Sequence, residues 1–80
     1  MNIEWEQVAT ADINVGDTLN VWWGNGRDTI TDLKPYHGPL ARVLGEGTKI
    51  ASFALLRTGM TLEGKGSYQR ARHSDDRRVK

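Results

Sequence analysis

The chain has 80 residues, a net charge of +1 at pH 7, 26% charged and 38% hydrophobic side chains, and no cysteine. That is the length of one small domain; disulfides are excluded, and with His37 and His73 as the only histidines a metal to brace the fold is not expected. No apolar run approaches the roughly 18 residues of a membrane span, and no apolar stretch follows Met1, so neither a membrane segment nor a signal peptide is expected, and the lack of cysteine fits the cytoplasm.

Charge is unevenly placed. Residues 1–69 hold six basic and eight acidic side chains, a balance of −2. Residues 70–80 hold Arg70, Arg72, Arg77, Arg78 and Lys80 against Asp75 and Asp76, a balance of +3. The body lacks the basic excess of a duplex-binding module, so any attraction to nucleic-acid phosphate falls to these terminal cations. Val79 is the one notable apolar position in the same stretch. Residues 70–80 are therefore expected to be a disordered tail behind a single β domain spanning residues 1–69. A body of that size buries only about 60% of its unfolded surface, which favours tight packing or association into a homodimer.

Taken in order, Ile3, Trp5 and Val8 mark a first strand, with a change of phase that predicts a bulge. Residues 12–17 are a turn. It leads into an alternating strand over residues 18–23, where Leu19, Val21 and Trp23 share one face and Thr18, Asn20 and Trp22 the other. The polar company of Trp22 predicts that Trp23 enters the core and Trp22 points outward. Three Gly-x-Gly units, at Gly24, Gly45 and Gly64, read as hairpin turns, because glycine supplies the positive φ that short hairpins need. Residues 28–33 favour a strand. Lys34 to Pro39 is a loop, broken by two prolines and a glycine. Leu40 to Leu44 reads as a short strand. Residues 49–56 carry two patterns: alternation of Ala51, Phe53 and Leu55 predicts a strand, and Ile50, Phe53 and Ala54 behind a Thr48 cap allow a short helical turn near residues 50–55. The strand is preferred because the segment is short and lies between turns. Residues 60–63 and 67–69 would form a closing hairpin.

Five to seven short antiparallel strands in about seventy residues imply an all-β fold, a small barrel or roll. The turn at Gly16-Asp17 before an alternating strand resembles the entry to the second strand of SH3-like barrels. A wider pattern is Val21-Trp22-Trp23-Gly24, Arg27-Asp28-Thr29-Ile30, Leu33, Pro35-Tyr36 and Gly38-Pro39-Leu40, with Phe53 and Met60-Thr61-Leu62. It resembles small proteins encoded by bacteriophages and prophages of proteobacteria. That resemblance implies an accessory protein acting in the cytoplasm of a bacterial host, of the kind that binds and disables a host factor, including host defence, or sequesters a host signal. It implies no catalytic residue and no cofactor.

Catalysis is not expected. Ser52, Ser67 and Ser74 lie in no nucleophile motif, and Gly24-Asn25-Gly26-Arg27 lacks the length and the Lys-Ser/Thr of a phosphate loop. Asp28 and Asp32 on one strand would stand about 13 Å apart, too far for paired carboxylate chemistry. Asp28, Asp32 and His37 have the ligand types but not the spacing of a metal motif. The expected contact surface is Trp22, Arg27, Asp28, Tyr36 and His37, on two connections taken as neighbours. Aromatic rings with an arginine suit a protein interface, with Trp22 and Tyr36 as anchors. They equally suit a stacked nucleotide, with Arg27 on its phosphate. The plainer readings are a surface ion pair for Arg27 and Asp28 and a tyrosine covering the barrel mouth. The expected partner is a host bacterial protein or a small nucleotide, with nucleic acid reached through Arg70, Arg72, Arg77, Arg78 and Lys80. A structural virion component is the remaining class.

Overall fold

A computed structural model describes residues 3–72. The strands are β1 (Trp5–Ala9), β2 (Thr18–Asn20), β3 (Arg27–Pro35), β4 (Lys49–Phe53), β5 (Met60–Leu62) and β6 (Ser67–Ala71). They form one antiparallel sheet in the order β1-β6-β2-β3-β4-β5. A 3-10 turn (Thr10–Asp12) and a one-turn helix α1 (Ala41–Leu44) complete the described chain. The molecule is a small, mostly β roll, as the run of short strands predicts.

The long strand β3 makes the sheet curl. Its first residues pair with β2 (Thr18↔Thr29, Leu19↔Asp28) and its later ones with β4 (Leu33↔Ala51, Lys34↔Ile50). At the start of the β3–β4 ladder the register slips between Ile30 and Asp32, a bulge that bends the strand where it changes partner. Alternation then sends Leu19, Ile30, Ala51, Phe53 and Leu62 inward, where they meet Ile13 and Val21. The two edges are tied end to end. The buried Thr10 hydroxyl, just past β1, donates to the Glu63 carbonyl just past β5, and Lys49 Nζ donates to the carbonyls of Thr10 and Ile13.

Several local expectations change. Residues 40–44 are helical rather than extended: Leu44 N donates to Leu40 O and Gly45 N to Ala41 O, and Gly45 at φ +98° ends the turn. Leu40 and Val43 are both exposed, so no buried face holds the segment extended. Gly45-Glu46-Gly47 accordingly joins a helix to β4 and is not a hairpin. Residues 49–53 are strand, so the helical alternative there falls away. Residues 60–62 and 67–71 do not pair with each other. β5 lies on β4, and β6 crosses to lie between β1 and β2. Gly64-Lys65-Gly66 is thus a corner between the two walls. Its backbone is pressed so closely on Glu46 that a side chain at Gly64 would run into the Glu46 carbonyl, and Gly64 N donates to Thr48 Oγ1. The bulge expected in β1 is absent, since its register with β6 runs unbroken from Trp5 to Ala9.

The domain also extends beyond residue 69. β6 runs to Ala71, and Arg70 belongs to the sheet. Its guanidinium donates to Glu6 Oε2 from Nε and Nη2 (3.1 and 3.0 Å) and, from Nη1, to Asp17 Oδ2 (3.1 Å) and the Asp12 carbonyl (2.7 Å). Burial works against the charge on Arg70, but the Glu6 and Asp17 carboxylates outweigh it and raise its pKa. One side chain therefore clamps β6, β1 and the 12–17 turn together. The rest of the expected tail, residues 73–80, lies outside the described residues.

Candidate functional site

The β2 ladder ends at Asn20, so Trp22 and Trp23 stand in the connection to β3 rather than on a strand. This turn is closed by Val21 N to Gly26 O and Gly26 N to Trp23 O, with Gly24 and Gly26 at φ +62° and +91°. The two indoles divide as their strand faces predicted. Trp23 packs against the core and meets Phe53 edge to face at 5.2 Å. Trp22 is 82% exposed and stands edge-on against Trp23, with ring centroids 4.8 Å apart.

Asp28 fixes this arrangement from below. It faces inward, next to the outward Arg27, so the two do not form the surface ion pair that their adjacency allows. Its Oδ2 accepts the Trp23 indole N–H at 2.7 Å and the Leu56 amide at 3.0 Å. Oδ1 accepts the Thr29 amide at 2.9 Å, and the Leu55 amide reaches both oxygens at 3.1 Å. Burial alone would push this carboxyl up. The Trp23 indole and the Leu56, Leu55 and Thr29 amides overcome that and hold its pKa below the usual carboxylate value. The charge is thus held entirely by neutral donors, and it joins the Trp22–Trp23 turn to the loop over residues 54–59.

That loop supplies a residue the sequence reading missed. Leu55 is 61% exposed and lies against Gly24, where a β-carbon would come within 2.9 Å of Leu55 Cδ1. Alternation with Ala51 and Phe53 places Leu55 on the inward face, but β4 ends at Phe53. Past that end Leu55 turns to solvent and Leu56 packs on the core instead. Beside Leu55, a cleft of about 360 Å³ opens between Ile3 and Ala71 on one side and Asn25 and Arg27 on the other, over the hydrogen-bonded hydroxyls of Thr18 and Thr29.

Tyr36 and His37 do not join this group. They follow β3, whereas Trp22 and Arg27 precede or begin it, so up to about 30 Å of strand separates them at the usual rise. Tyr36 is half-buried and folds over its own loop: its hydroxyl accepts the Leu40 amide at 3.3 Å, and a side chain at Gly38 would collide with it. It borders a separate hollow of about 310 Å³ with Arg42, Glu46 and Thr48. His37 is exposed. Among the terminal cations, Arg70 is occupied in its clamp, and Arg72 lies 3.7 Å from Glu4 and 3.8 Å from Glu6. Arg77, Arg78 and Lys80 lie outside the described residues.

Among the described residues no three of His, Asp and Glu gather to hold a metal ion, and no helix is long and apolar enough to cross a membrane. Comparison with known proteins returns no match: no family model, no curated protein and no solved structure aligns significantly with this chain.

Proposed function

We propose that this chain is a non-catalytic binding protein that grips another protein through Trp22 and Leu55. The observation that carries this reading is an indole 82% exposed on a rigid support. Trp22 rests on Trp23, Trp23 on Phe53, and Asp28 ties the whole turn down through five short contacts. A large apolar side chain presented in one geometry loses little entropy on binding, and tryptophan dominates interface hot spots. The oxygens of Asp28 are committed to structural donors, which leaves it unsuited to acid–base work. Arg70 and Arg72 are engaged by carboxylates, which takes two cations from the arm expected to reach nucleic acid and favours protein as the partner.

The resemblance to small phage-encoded proteins makes that partner a component of a bacterial host cell, inhibited or sequestered by being bound. Capture from bacterial lysate tests the reading, at low and high salt and after nuclease treatment. A host protein retained through both treatments by the native chain and lost with Trp22→Ala is the expected result. Captured material that disappears with nuclease, or that Trp22→Ala retains in full, rules the reading out.

A further inference from the structure

The turn that carries Trp22 borders a cleft with a cation at its rim. Near β1 and β6 the cations are already answered: Arg70 by Glu6 and Asp17, and Arg72 by Glu4. Arg27 lines the cleft beside Leu55, and Arg57 extends from the same loop as Leu55. Among the described residues neither has a carboxylate within ion-pair reach. Asp28, which also lines the cleft, is buried, and its oxygens are taken by the indole and the backbone amides. A cleft with apolar walls and an unpaired guanidinium at its rim is complementary to one kind of protein surface.

We propose that the partner docks an acidic segment here. An apolar side chain of that segment fills the cleft between Ile3 and Leu55, beside the turn that carries Trp22, and a neighbouring carboxylate pairs with Arg27. Arg27 suits this task because its planar fork can take both oxygens of a carboxylate at once. The cleft offers apolar walls at Ile3, Leu55 and Ala71 for the side chain, and the Asn25 amide and Arg27 for its polar backbone and charge. This inference rests on the reading of the Trp22 end as the contact surface and adds the chemistry of what binds there.

The test is selection from a random linear peptide library on the full native chain, with counter-selection on Trp22→Ala, a variant checked for intact fold by circular dichroism. The expected result is a Trp22-dependent set in which aspartate or glutamate flanks an aromatic or aliphatic residue. Arg27→Ala should weaken individual winners about tenfold, the scale of one charge-assisted contact, and their binding should fall as salt rises. Arg27→Glu should turn the selected set toward lysine and arginine. Trp22-dependent peptides with no acidic bias, unaffected by Arg27→Ala, would overturn the inference and leave the Trp22 contact surface standing. Failure to recover any Trp22-dependent peptide would overturn both.

Discussion

The two ends of β3 carry the same kind of sequence and end in opposite arrangements. At each, aromatic residues sit in a glycine-containing connection beside a charged or titratable side chain: Trp22-Trp23-Gly24 with Arg27 and Asp28 before the strand, Tyr36 with His37 and Gly38 after it. Yet Trp22 is held out in solvent, whereas Tyr36 lies folded on Gly38 with its hydroxyl accepting from Leu40. The difference lies in what stands beneath each ring. Below Trp22 a second indole already fills the core position, and a buried carboxylate fastens that indole in place, so Trp22 has nowhere to collapse. Below Tyr36 there is only loop backbone, whose free amide gives the phenol a reason to fold inward. An exposed aromatic is thus produced by a saturated site underneath it, which a count of aromatic and charged residues does not register.

The comparison breaks most severely at Asp28. Asp28→Ala leaves the Trp23 indole and three backbone amides without their acceptor and should cost about 3–5 kcal/mol in urea unfolding, with loss of the Trp22 presentation. Asp28→Asn keeps the shape and should cost less. The same carboxyl dictates a pH response. Because its folded pKa lies below its unfolded value, its contribution is fully present above the unfolded carboxylate value of about 3.9 and is lost as pH falls through the folded pKa. The native chain should therefore lose stability below about pH 4 more steeply than Asp28→Asn, measured as unfolding midpoints across acid pH. Equal slopes would mean that Asp28 is not the charge being held.

Next in size is the Arg70 clamp. Arg70→Ala takes the charged donor from Glu6, Asp17 and the Asp12 carbonyl, and the clamp is partly exposed, so a loss of about 2–3 kcal/mol is expected. A loss within about 0.5 kcal/mol, the size of an ordinary surface change, would show that β6 holds without its arginine. Deleting residues 73–80 should leave the thermal midpoint nearly unchanged, since the clamp lies before them.

The smallest effect is the sharpest contrast between the two rings. Trp22→Ala should change stability by less than about 0.5 kcal/mol, because its ring is mostly in water. Tyr36→Ala should cost about 1–2 kcal/mol through its lost packing and the Leu40 hydrogen bond. The reverse order would mean that Trp22 supports the fold and that its exposure carries no functional meaning.

How much of this could be read from residues alone follows the range of the interactions. The division of Trp22 and Trp23 was legible because strand alternation is local, and it held although the hydrogen-bonded ladder stops at Asn20. The strand expected over residues 49–56 was legible for the same reason, though it ends at Phe53. Residues 40–44 were misread because a five-residue apolar run between turn signals fits a strand or a single helical turn equally, and the glycine that ends the helix looked like one more hairpin signal. The partnership of β6 with β1 and β2, the role of Asp28 and the capture of Arg70 all join residues far apart in sequence: Asp28 meets residues 55 and 56, and Arg70 meets Glu6. No local pattern encodes those pairings. Grouping Tyr36 and His37 with Trp22 failed on distance, since a nine-residue strand stands between the two connections.

The most direct test of the central claim sets the two ends against each other in one assay. Native chain, Trp22→Ala and Tyr36→Ala, each shown to be folded, are immobilised and exposed to the same bacterial lysate at high salt after nuclease treatment. The account predicts that one host protein binds the native chain and Tyr36→Ala alike and is lost with Trp22→Ala. Retention by Trp22→Ala and loss by Tyr36→Ala would contradict it, and would place the contact surface at the far end of β3.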